Sequence, residues 1–249
     1  TNPSDVRLRV FEGRLLKVLN DLDGADAAIR SVLDDHPDNQ EAIFLYGAIG
    51  MAQGNAPQVI AFFQHQLQRR PDDPHLLARL GPALQECGQI EAARQVLRRA
   101  LEIRPKHILA RHNLAVLLQG QGDVHAAIKH YKTLLQQVPG HRTSMENLVT
   151  AQMSVAMWVD AARLIESVLH RYPDHSLACV QPHVMRSMCL WTDLDRVDAR
   201  ADRVRDRRLA AGRPVGLSPL MDITRRMDPQ GNLNISRNYV QNIVVQKTF

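Results

Sequence analysis

Eleven histidines in 249 residues are the first chemistry this chain offers. His107, His141 and His175 stand 34 residues apart, so a periodic fold sets them one per period rather than around one point. A metal ion needs three or four side chains within about 2 Å of it. His125 and His130 are five apart, off one helical face, and no HxxxH pair occurs. No metal site and no cofactor is expected. The three cysteines, Cys87, Cys179 and Cys189, form no CxxC pair and leave one over under any disulfide scheme. A reducing compartment, hence a cytoplasmic location, is the expectation, with Cys87 a structural thiol. No GxSxG, phosphate-binding loop or GxGxxG after a strand is present, so no enzyme activity is expected within these residues.

The elements that carry these side chains follow from a period. Pro37, Pro71, Pro105, Pro139 and Pro173 are spaced by 34 without one insertion, the mark of a repeat architecture. Small residues return in register at Gly13, Gly47, Gly81 and Ala115, and again at Ala25, Ala93, Ala127 and Ala161. Such residues let helix axes approach, while Leu80, Leu84, Leu97, Leu101, Leu114, Leu118, Tyr131 and Leu135 fill the space at helical spacing. Gly54, Gly88 and Gly122, with Asn20 and Ala156 in the outer units, mark left-handed helix stops. Each unit is therefore helix, turn, helix, with proline ending or following the second helix. Pro82 falls inside a first helix and predicts a bend there.

Composition agrees with helix packing: 45% apolar residues but only 4% aromatic. The net charge of +5 belongs to residues 176–249; residues 1–175 are balanced. No apolar run is long enough to span a membrane.

Period, small-residue register, leucine fill and terminal proline together resemble the tetratricopeptide repeat (TPR). The resemblance covers five repeats, 6–39, 40–73, 74–107, 108–141 and 142–175, in an array over residues 1–175. Residues 176–191 read as the first helix of a sixth, with Pro182 predicting a kink or break. The resemblance implies an all-α right-handed superhelix whose first helices line a concave groove. It also puts the basic stretch Arg94, Arg98, Arg99, Arg104, Lys106 and Arg111 mostly on an outer, solvated face. Facing inward would be Arg7, Val10, Arg14, Glu41, Phe44, Met51, His75, Ala78, Gln85, His112, Val116, Gln119, Glu146, Thr150 and Met153. Asn113 and Asn147 hold equivalent places; their amides either grip an extended peptide backbone or bond locally. The lysine–asparagine–arginine clamp of chaperone-binding repeats is not filled across three successive units, and that partner is set aside.

Beyond residue 191 the period is lost. Residues 192–211 open with a Thr/Asp cap and place Leu194, Val197, Ala201, Val204 and Ala211 on one face, stopping at Gly212 and Pro214; a second helix is expected from Asp228. Residues 192–249 thus form a helical extension. MCLWTDLDRVDARADRV is similar to the segment that follows the repeats in the O-linked N-acetylglucosamine transferase (SPINDLY-like) family, and SPLMDITRRMDPQ resembles its connection to the catalytic lobes. Those lobes would need several hundred further residues, so no catalytic residue is carried over. The expectation is a protein-interaction scaffold binding a peptide or protein, with self-association possible. The alternative is the substrate-recruiting part of a larger glycosyltransferase, and nucleic-acid binding stands as the third class.

Overall fold

The structure, a computed structural model, describes residues 3–190 and 192–213. Those residues are helical throughout, without strands. The helices come in pairs: α1 (Pro3–Val18) with α2 (Leu22–Asp35), α3 (Gln40–Ala52) with α4 (Ala56–Arg69), and α5 (Pro74–Glu86) with α6 (Ile90–Ile103). Next in order are α7 (Ile108–Gly120) and α8 (Val124–Gln137), then the pairs α9 (Arg142–Ser154) with α10 (Trp158–Arg171) and α11 (Leu177–Ser187) with α12 (Leu194–Ala210). The second helix expected from Asp228, the end of the stretch 192–211 at Pro214, and Trp191 lie outside the described residues.

The chain forms two compact units, meeting in sequence at Gln121 and Gly122. In the first unit α1, α3 and α5 each pack on their own partner and on the next odd helix, α1 on α3, α3 on α5 and α5 on α7. The second unit packs α8 on α9, α9 on α10, α10 on α11 and α11 on α12.

The small residues act by contact. A Cβ added to Gly13 would stand 2.7 Å from the Ile29 side chain, one at Gly81 2.7 Å from Leu97, and one at Gly47 inside the Phe63 ring. Ala25, Ala93, Ala127 and Ala161 are fully buried. The helix axes approach until these side chains meet, which excludes anything larger.

Each proline occupies a β-turn. The amides of Asn39, Asp73, His107, His141 and His175 donate to the carbonyls of His36, Arg70, Arg104, Val138 and Tyr172, three residues back, at 2.9–3.2 Å. Proline thus takes the second turn position, where its fixed φ is favoured. The fourth turn residue starts the next helix: Asn39 Oδ1 accepts from Ala42 N at 2.9 Å and Asp73 Oδ1 from His75 N at 2.8 Å. His107, His141 and His175 cap through Nδ1, accepting from Ala110, Ser144 and Leu177 at 3.1, 3.3 and 3.2 Å. The histidine ladder is a capping ladder. On the other side of each pair, the stops are left-handed as their register requires, with φ of 64° at Asn20, 72° at Gly54 and Gly88, 81° at Gly122 and 56° at Ala156.

Helix α11 continues through Pro182 without a break. Three expectations are corrected. Asp193 makes no side-chain cap and sits at φ 59°. Ala211 is exposed, whereas Arg205 and Arg208 join Val197, Ala201 and Val204 on the buried face of α12. Val10 and Ala78 are packed away from solvent at 2% and 0% exposure, because each faces the neighbouring helix.

Candidate functional site

In the first unit the odd helices keep one strip partly open. On α3 it carries Glu41, Phe44, Ala48 and Met51; on α5, His75, Arg79, Pro82 and Gln85; on α7, His112, Asn113, Val116 and Gln119. The rest of α5 from Leu76 to Leu84 is buried. The candidates Phe44, Met51, Gln85, His112, Asn113 and Gln119 are therefore half-buried side chains of three helices that pack in succession. In the second unit, Glu146 and Asn147 are half-buried and Thr150 is exposed on α9.

The two asparagines bond within the protein. Asn113 Nδ2 donates to the Ala78 carbonyl at 2.9 Å. In an α-helix that carbonyl would receive the amide of residue 82, and Pro82 has none. Asn113 supplies the missing donor from the next odd helix. Asn147 Nδ2 donates to Tyr131 Oη at 3.3 Å. The Tyr131 ring is fully buried, and burial pushes its hydroxyl up to about 12. Beyond these bonds each amide retains its carbonyl oxygen and a second N–H.

Glu146 is drawn inward as well. It accepts from the Ser176 hydroxyl and from Arg142 Nε at 3.3 Å, with His175 Nε2 at 4.0 Å. Serine, histidine and glutamate lie close here, in an order unlike a serine–histidine–acid relay. The serine bonds the carboxylate directly, and His175 Nδ1 accepts the Leu177 amide. His175 Nδ1 also lies 3.4 Å from the Ser176 hydroxyl, so that nitrogen is shared between the hydroxyl and the amide it caps. An open cleft of about 490 Å³ lies beside this network, lined by Gly140, Arg142, Met145, Arg171, Tyr172, Pro173, Asp174 and His175. Among the described residues, no three histidine, cysteine or acidic side chains converge on a point.

The densest chemistry gathers around Phe44 and His75, both read from the sequence as facing inward, and around Arg79 and His107, which are not so read. Arg79 lays its guanidinium 3.6 Å from the Phe44 ring centre, a cation–π contact, and burial lowers its pKa. The His75 and His107 rings meet at a 60° tilt with centres 4.7 Å apart, and His75 Nε2 lies 2.9 Å from Arg104 Nη1. Burial, then the neighbouring His75, Arg104 and Arg79 charges, lower His107 to about 4. The stack of Arg79 on Phe44 joins residues one repeat plus one position apart, a spacing that could have signalled it.

The fold and its open strip define a helical-repeat interaction module. A family model described as the cytochrome c-type biogenesis protein H TPR domain matches residues 13–145, just over half of the chain, which therefore belongs to this family of TPR domains. Among curated proteins, the peroxisomal targeting signal receptor of Eremothecium gossypii is 34% identical over 89 residues, 36% of this chain and 16% of that protein. Human protein O-mannosyl-transferase TMTC1 is 25% identical over 150 residues, 59% of this chain and 17% of that protein. The chain thus spans under a fifth of these relatives' lengths. Among solved structures, a TPR protein from Parabacteroides merdae aligns at TM-score 0.62 and 13% identity, over 98% of this chain and 96% of that one. A thermophilic TPR protein from Thermus thermophilus aligns at 0.60 and 16%, over 80% of this chain and 98% of that one. Both likenesses concern the fold.

Proposed function

We propose that this chain is a non-catalytic scaffold that holds a peptide or protein along the open strips of its odd helices. One observation carries the reading: α3, α5 and α7 bury every face but one, and that face bears Phe44, Met51, Arg79, Gln85, His112 and Gln119 rather than a uniformly charged surface. A side chain kept half-buried and chemically varied along successive helices suits an extended ligand better than bulk water. Family membership supports a protein partner, and one relative is named as the receptor of a targeting signal. Cys87, Cys179 and Cys189 form no disulfide among the described residues, and a cytoplasmic setting belongs to this proposal. A narrower form rests on the resemblance of residues 188–230, which makes the chain the recruiting portion of a longer glycosyltransferase. The downstream reading frame of the gene tests that form, since a nucleotide-sugar domain would have to follow.

Site-specific photo-crosslinking tests the main reading. A benzoylphenylalanine placed at Gln85, Gln119 or Thr150 should capture protein from a native extract, while the same residue at exposed Gln58 or Gln95 on the even helices should not. Equal capture from both sets would dismiss the odd-helix strip as the binding surface.

A further inference from the structure

The corner where the α6–α7 turn meets the start of α5 holds more donors than it can satisfy. His107 Nδ1 accepts the Ala110 amide as a helix cap, so the neutral ring carries its proton on Nε2. That group lies 3.0 Å from His75 Nδ1 and donates to it. His75 is thereby left with its own proton on Nε2, facing Arg104 Nη1 at 2.9 Å. A guanidinium accepts nothing, so two N–H donors face one another. Reversing the His75 tautomer only moves the conflict: His107 would then have to accept on both ring nitrogens, and a neutral imidazole has one acceptor.

Charge points the same way. Arg79, Arg104 and Arg111 make no ion pair with a carboxylate among the described residues. Asp73, whose charge Arg79 senses, is committed to capping α5 through the His75 and Leu76 amides and lies 3.9 Å from Arg70. Elsewhere in the unit, arginines find acids: Arg9 with Asp35, Arg69 with Asp38 and Arg99 with Asp72, each at 2.9 Å. An anionic oxygen bridging His75 Nε2 and Arg104 Nη1 from the open side would accept from both and offset the cationic surplus. Arg79, its plane held against Phe44, presents N–H edges in the flat fork that matches a carboxylate.

We propose that His75, Arg79 and Arg104, backed by Phe44, form a docking site for side-chain carboxylates of an acidic peptide segment. The proposal rests on the odd-helix strip being the binding surface and names the chemistry of what it takes. It differs from a terminal-carboxylate clamp in its residues and in needing no free chain end.

Fluorescence anisotropy on the full chain tests it with two labelled, C-terminally amidated probes, hexaglutamate and hexaglutamine. Hexaglutamate should bind about tenfold or more tightly. Arg79→Gln and Arg104→Gln should each remove most of that preference, while Arg98→Gln, exposed on α6, should leave it intact. Equal binding of both probes, binding of neither, or the same loss in Arg98→Gln would overturn the site. So would displacement by inorganic phosphate at concentrations where free glutamate has no effect. The crosslinks at Gln85 and Gln119 report separately: crosslinks without an acid preference overturn the acidic site alone. An acid preference lost in Arg104→Gln but without inner-strip crosslinks overturns the binding surface alone.

Discussion

Asn113 repairs a helix on a neighbouring element, which makes its role conditional on Pro82. Removing its amide leaves the buried Ala78 carbonyl without a donor, a loss of about 1–3 kcal/mol. In a Pro82→Ala background the helix supplies its own amide, and Asn113→Ala should then cost far less. A urea-denaturation double-mutant cycle measures the coupling; additive losses would contradict the repair. Histidine caps carry a pH signature of their own. A capping Nδ1 must be unprotonated, and the folded-state pKa of His107 falls from 6.5 to about 4, with His175 lowered in the same direction, chiefly by burial. Between pH 6.5 and 4 the unfolded chain therefore binds the proton that the folded chain refuses. The contribution is complete above pH 6.5 and is lost as the pH falls toward 4, with a slope of at most about 1.4 kcal/mol per pH unit for one proton. His107→Asn, which copies Asn39 in the same register, should flatten that slope when urea midpoints are compared across the window. A parallel pair of curves would refute the assignment.

At the scale of elements, helix approach sets the tolerance for each small residue. Gly47→Ala drives a methyl into the buried Phe63 ring and should cost about 1–3 kcal/mol. Gly120→Ala, on α7 with open space around the added carbon, should instead stabilise by about 0.5–1 kcal/mol. Thermal melts of the two variants should move in opposite directions. These contrasts were legible in part, since spacing alone locates Gly47 and the left-handed stops at Gly88 and Gly122. The candidate site was less legible, and the reason is physical. Asn113 reads equally as a ligand contact or a local bond until Pro82, on another helix, is seen to have freed a carbonyl. Arg79 carries no signal of its own until Phe44, a repeat earlier, is found beneath it. Histidine as a cap escapes propensity because it depends on which ring nitrogen carries the proton.

For the molecule as a whole, stability should be the sum of what neighbouring pairs contribute. Excising residues 40–73 joins Asn39 to Pro74, which restores a turn residue capping a first helix. The shortened chain should stay helical and melt cooperatively at a lower temperature by circular dichroism; complete loss of helix would contradict nearest-neighbour packing. The five proline turns also bear on history. Each turn ends on the residue that starts the next helix, so both sides of any cut within it carry matching geometry. An in-frame exchange between two such turns adds or removes a complete unit and leaves no scar, so the length of the array can change faster in its gene than the character of any one repeat.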